Sequence, residues 1–241
     1  MAQRKQPMAR SSGGEARYHP GGFFADGKVA EIGFDGNKRY FVCYDQNTQG
    51  LQNLEQIESD GVIYSPNHPE PDNLVETGTV LVPDKATEYG QLDDLILALV
   101  SHINKYVEVD EDFLYLSTAY ILFTYRYSDV SNLGYIRVIG EFECGKSRYL
   151  QAVGRLCYLP CIFSTAPTDA SIFRVSERYP GTLVIDEGDK NFSDTNSLFV
   201  KILNSGYQKE ASLIRCSGTS FTPESFGCYG PKVLACRYPY D

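Results

Sequence analysis

Histidine is scarce in this chain, at three among 241 residues, and none stands near the closest cysteine pair, Cys157 and Cys161. A zinc site there lacks its usual imidazole partners. The seven cysteines are odd in number and follow no disulfide spacing, so they read as buried thiols in a reducing cytoplasm. Long apolar runs are missing too. The longest, "FLYLSTAYILFTY" from Phe113, is too short and too broken by hydroxyls to span a bilayer. The opening "MAQRKQPMARSSGGEAR" has basic residues but not the apolar core of a secretory signal. An Asn-Lys-x-Asp guanine-recognition motif is also lacking, since the only Asn-Lys pairs, at 37–38 and 104–105, do not continue into it. These absences set aside a disulfide scaffold, a membrane span, a zinc module and a GTPase.

Positive charge is in short supply as well. The net charge is −9, and it is unevenly spread. Residues 1–22 carry four basic and one acidic side chain, and residues 23–112 carry five basic and eighteen acidic. From residue 113 onward there are thirteen basic and twelve acidic. The acidic middle would repel a phosphate backbone, so a nucleic-acid contact is expected elsewhere.

What is present stands out in "VIGEFECGKSRYL", residues 138 to 150. Gly140, Gly145, Lys146 and Ser147 meet the pattern G-x-x-x-x-G-K-[ST] in full. "YIRVIG" before it is an apolar, β-branched run of strand length. "SRYLQAVGRLCYLP" after it sets Leu150, Val153 and Leu156–Cys157 at helical spacing, with Pro160 as the stop. A glycine loop between strand and helix lets backbone N–H groups wrap phosphates. The expected nucleotide-binding stretch is Gly140, Glu141, Phe142, Glu143, Cys144, Gly145, Lys146, Ser147 and Arg148. Lys146 would reach the β- and γ-phosphates of ATP, and the Ser147 hydroxyl would ligate Mg²⁺.

A second signature lies in "GTLVIDEGD". Thr182 to Ile185 reads as a short strand that delivers Asp186 and Glu187 at its C-terminal end, where ligands bind in a parallel α/β sheet. Asp186 would share the Mg²⁺ shell with Ser147, and Glu187 would polarise the attacking water. The paired carboxyls favour a hydrolase over a small-molecule kinase.

The rest of the chain supplies the frame. Residues 1–22 read as a disordered basic arm and 23–90 as a small β-rich region. In it, "KVAEIGF" and "RYFVCYD" form a hairpin about Asp35–Gly36–Asn37, with further strands at "GVIYSP" and "GTVLVP". "QLDDLILALVSHINKYV" is an amphipathic helix with Ile96, Leu99, Val100, Ile103 and Val107 on one face. "DEDFLYLSTAYILFTYRY" is apolar almost all round and is expected to be buried between layers. After the loop helix, "CIFST", a helix capped by Thr168 or Asp169, the Asp186 strand, the helix "DTNSLFVKILNSGYQ" and the strands "ASLIRCSG" and "PKVLACRYP" alternate as an α/β sheet should.

From about residue 92 to 241 these segments resemble a family, the AAA+-like ATPase domains of phage- and plasmid-borne replication proteins, helicases often linked to a primase. The resemblance is carried by "RVIGEFECGKSRYLQAVGRLCY", "GTLVIDEGD", "ILNSGYQKEASLIRC" and "FGCYGPKVLACRYPYD". It implies an α/β P-loop NTPase fold of the ASCE/AAA+-like kind, a three-layer parallel sheet preceded by two helices. It also implies Lys146 and Glu187 as catalytic, Asn204 and Arg237 as sensor residues, ATP and Mg²⁺ as cofactors, and DNA as partner. A homo-oligomer, a hexamer, is the expected assembly. In the resembling proteins a helix with a serine-arginine element follows, so residues 91–241 read as an ATPase domain incomplete at its C-terminus, with slow turnover expected. A nucleotide-binding regulatory module and an inactive truncated remnant are the other two readings.

Overall fold

The computed structural model describes residues 16–164, 168–186, 198–217 and 222–237, without the side chains of residues 169, 198, 215–217, 222 and 224. The chain divides into two compact units, Met1–Pro71 and Asp72–Asp241, whereas the sequence pattern had put the division at residue 90.

In the first unit, β1 (Arg17–Tyr18), β2 (Gly21–Phe23), β3 (Lys28–Phe34), β4 (Arg39–Asp45), β5 (Gly50–Leu54), β6 (Ile57–Ser59) and β7 (Val62–Ser65) form two sheets, β2-β3-β4-β5 and β1-β7-β6. The expected hairpin is β3–β4, antiparallel from Lys28↔Asp45 to Phe34↔Arg39. Its turn is held by the Asp35 carboxylate, which accepts from Asn37 N and Lys38 N at 2.9 Å each. Ala30, Ile32, Phe41, Cys43 and Ile57 are almost fully buried beneath. β1 and the start of β2 fall within residues 1–22, the stretch expected to be a disordered arm; residues 1–15 lie outside the described residues. Gly21 serves close approach: a Cβ there would lie 2.6 Å from Ala30 O, so this residue is shaped for strand packing.

The second unit opens with Asp72, whose carboxylate accepts from Arg178 Nη1 at 2.7 Å and from the Tyr179 hydroxyl at 2.9 Å. "GTVLVP" is not a strand here. It makes a single bridge, Val80↔Cys161, flanked by Leu81 N to Pro160 O at 3.0 Å. Pro160 offers a carbonyl but no N–H, so the ladder cannot lengthen past it. Helix α1 (Leu92–Tyr106) starts with Gln91 N donating to the Asp94 carboxylate at 3.1 Å. Helix α2 (Glu111–Thr124) starts where Asp110 accepts from Phe113 N at 2.9 Å. α2 buries Leu114, Tyr120 and Ile121 but leaves Tyr115 and Leu116 exposed, so it is one-sided rather than buried all round.

The central sheet is parallel throughout, in the order β8 (Ile136–Ile139), β13 (Lys232–Cys236), β10 (Leu183–Ile185), β9 (Cys161–Phe163). β8 is followed by α3 (Lys146–Ala152), and β9 by α4 (Asp169–Arg178), where Thr168 Oγ1 accepts from Ser171 N. α5 (Leu198–Ser205) comes before a hairpin of β11 (Ser212–Ser217) and β12 (Thr222–Gly227), which pairs outside the sheet. The loop helix stops earlier than its spacing suggested, giving way to a 3₁₀ turn at Gly154–Leu156. A Cβ on Gly154 would sit 2.7 Å from Val184 Cγ1, so the chain presses here against β10.

Alternation sorts the strand residues to two faces. Ile136, Val138, Val233, Ala235, Val184 and Ile162 join Ile103, Leu114, Ile121, Tyr149 and Val153 in one core, under α1, α2 and α3. Tyr120 crosses that core and accepts from Lys232 N at 3.0 Å. Residues of opposite parity meet the later helices. Lys232 Nζ donates to Gly206 O, just past α5, and the Cys161 thiol contacts Tyr179 O at the end of α4. Every residue of β13 is buried, as an interior strand covered on both faces should be.

Candidate functional site

The loop that follows β8 and the turn that follows β10 lie at the C-terminal end of the parallel sheet, on either side of β13. β8 ends at Ile139, and the loop from Gly140 returns the chain into α3 at Lys146. Two constraints favour the glycines. Gly145 has φ 92°, a left-handed conformation that a side chain would strain. A Cβ on Gly140 would come within 2.5 Å of Cys144 Sγ. Glu143, at φ 61°, takes a left-handed turn without being glycine, a strained geometry of the kind found at functional loops. Gly140 N donates to Cys236 O at 3.2 Å, which ties the loop to the end of β13.

The lysine lies over this loop. Lys146 Nζ donates to Gly140 O at 2.5 Å and to Glu141 O, and sits 3.7 Å from Cys144 Sγ. Its ammonium therefore occupies the concave side of the loop through carbonyl contacts that an anion could replace. Glu141, Phe142, Glu143, Cys144, Gly145, Ser147 and Arg148 are exposed, so the loop faces solvent. Phe142 is 66% exposed, and the Arg237 guanidinium stacks on its ring, 3.4 Å from the centroid. Because Cys236 and Ile139 are register partners, the residue after β13 arrives beside the loop that follows β8.

Asp186 begins the turn after β10, where its N–H donates to Phe163 O at 3.0 Å. Ser147 and Asp186 line one cleft, together with Gln151, Arg155 and Ser164. The sheet thus brings together two residues that the sequence separates by nearly forty positions. A hydroxyl and a carboxylate are hard oxygen donors, the class that Mg²⁺ takes alongside water and substrate phosphate. Among the described residues no group of three or more His, Cys, Asp or Glu side chains could hold a metal by itself.

Of the other expected residues, Glu187 lies outside the described residues. Asn204 is exposed on the last turn of α5, and no described contact joins it to the loop. Arg148 lines a second cleft, with His102 and Tyr106 of α1. Sequence reasoning missed that cleft and the pairing of Phe142 with Arg237. The first had a faint signal in Arg148 and Arg155, seven apart, while the second needs the β8–β13 pairing and has none.

No protein-family model matches this chain, and no curated protein matches it. Among solved structures it is similar to one described as "The A form apo structure of NrS-1 C terminal region-CTR", at 13% identity and a TM-score of 0.32. That likeness covers 89% of this chain and 54% of the other, so the chain spans about half of that structure's length. At this level it carries no argument about activity. No helix among the described residues is long and apolar enough to cross a membrane.

Proposed function

We propose that this chain is a P-loop ATPase that binds Mg·ATP at the loop Gly140–Ser147 and works on DNA in the replication of a mobile element. The observation that carries this reading is the shared cleft of Ser147 and Asp186, beside a loop already folded around a lysine ammonium. In this reading Lys146 exchanges its carbonyl contacts for phosphate oxygens, and loop N–H groups bind the remaining ones. Ser147 and Asp186 would hold Mg²⁺, which would supply charge neutralisation for the phosphate oxygens. Glu187 accepts the proton of the attacking water. Arg237 leaves the Phe142 ring and senses the terminal phosphate. The AAA+-like helicase class and a hexamer come from the sequence resemblance, a cytoplasmic setting comes from the cysteine count and spacing, and all belong to the same proposal.

The test is the Mg²⁺ dependence of nucleotide affinity, measured by calorimetry. Ser147→Ala and Asp186→Asn should each remove most of the Mg²⁺-dependent gain while leaving affinity without metal unchanged. If both variants keep the full gain, the metal is held elsewhere and the proposed roles are wrong.

A further inference from the structure

The cleft that receives Arg148 has a composition the ATP site does not use. It has a volume of about 260 Å³ and opens between α1 and α3, where His102 and Tyr106 face Arg148, Gln151 and Arg155. No carboxylate lines it, in a chain of net charge −9. Lys105 adds a third cation, with its Nζ 5.3 Å from the Tyr106 ring centroid. The His102 and Tyr106 rings lie 4.9 Å apart, and Tyr106 is 42% exposed. Among the described residues neither Arg148 nor Arg155 makes a hydrogen bond or an ion pair. Unpaired guanidiniums beside an open aromatic face suit a ligand that is both anionic and flat.

The spacing narrows the ligand. Arg148 lies on α3 and Arg155 seven residues on, in the 3₁₀ turn Gly154–Leu156 that follows it, so the cleft presents two separate guanidiniums along one wall. Two phosphates with a base between them would fit, the base stacked on Tyr106 and the backbone held by the guanidiniums. We propose that this cleft is a contact site for single-stranded nucleic acid, reading neither base identity nor duplex shape. The proposal rests on the nucleic-acid-directed reading of the neighbouring ATP site. Gln151 and Arg155 border both clefts, so α3 and the 3₁₀ turn after it would carry the end of the phosphate loop and the strand contact on one short stretch.

The experiment is fluorescence anisotropy of a labelled oligo(dT) of about 15 nucleotides, an upper single-module site size, titrated with the full chain over a range of salt. Tyr106→Ala should weaken binding about tenfold, the usual cost of one lost stacking contact, and Tyr106→Phe should restore it. Arg155→Gln should weaken binding and flatten the slope of log affinity against log salt by about 0.7. Lys201→Gln, on the exposed side of α5, should change nothing. Unchanged affinity and slope in a Tyr106→Ala/Arg155→Gln double variant would overturn the proposal, as would absence of strand binding by the unmodified chain. Thymidine monophosphate is the second probe. If it binds with the same Tyr106 dependence while the oligonucleotide does not, the cleft takes a free nucleotide and the strand proposal fails. ATP binding by Tyr106→Ala should stay intact. If Lys146→Ala leaves ATP affinity unaltered while the Tyr106 effect on the strand holds, the ATP reading alone falls.

Discussion

Replacing Lys232 with methionine probes the interior on which the loop is mounted. The Lys232 ammonium is fully buried. It donates to Gly230 O at 2.8 Å, Cys228 O at 3.2 Å and Gly206 O at 3.4 Å, and contacts Tyr135 through the hydroxyl at 3.1 Å and the ring at 4.5 Å. Methionine fills similar space but strands these acceptors. A buried unsatisfied group costs about 1–3 kcal/mol, so the variant should be less stable by about 2–4 kcal/mol near pH 9. The loss should depend on pH. Burial pulls the Lys232 pKa down from 10.5 to about 7, so between those values the unfolded chain binds a proton that the folded chain does not. Stability from this group therefore rises with pH across the window, by up to ~1.4 kcal/mol per unit. Methionine has no such slope. Buried groups such as Cys157 and Cys161, whose thiols burial pushes up to about 12, act alike in both proteins and cancel in the difference. Urea unfolding of both proteins at several pH values from 6 to 10 reads it directly. The gap should widen with rising pH above about 7, and a constant gap would refute the claim that burial depresses this lysine.

Three further outcomes follow from the site. Gly140→Ala puts a Cβ where Cys144 Sγ now stands, 2.5 Å away, so the thiol must shift within the loop and ATP affinity should fall about tenfold while the melting temperature moves little; affinity retained in a Gly140→Ala/Gly145→Ala double variant on titration would mean that the loop binds no phosphate. Glu187→Gln should spare ATP binding and abolish phosphate release in any assembly that hydrolyses, because an amide cannot take the water's proton. Unchanged turnover would move the base elsewhere. Arg237→Ala frees the Phe142 ring and should lower turnover more than nucleotide affinity, and an equal loss in both would make Arg237 a simple binding residue.

Local signals were legible and assembled ones were not. The strand–turn–helix from β8 to α3, the β3–β4 hairpin and the strand before Asp186 each depend on residues within a few positions of one another, and the sequence read their secondary structure correctly. The order β8-β13-β10-β9 depends on pairings between distant segments, so the partnership of Arg237 with Phe142 had no local trace. β12, "TPESFG", was missed because it has a proline and no clear apolar alternation, and its strand character comes from pairing with β11. Glycine misled in one place and informed in others. Gly21 suggested disorder yet allows tight strand packing, whereas Gly140 and Gly145 matched their motif. The cleft at Tyr106 joins two helices over forty residues apart, each of which reads as ordinary amphipathic sequence.

The central claim is that Lys146 binds nucleotide phosphate, and calorimetric titration of Mg·ATP into the unmodified chain and Lys146→Ala tests it most directly. The ammonium already satisfies two carbonyls, so binding exchanges contacts rather than adding them all. The net charge-assisted gain is then about 2–4 kcal/mol. The account predicts an affinity at least about 30-fold weaker in the variant. Equal ATP affinity for the two proteins would contradict it.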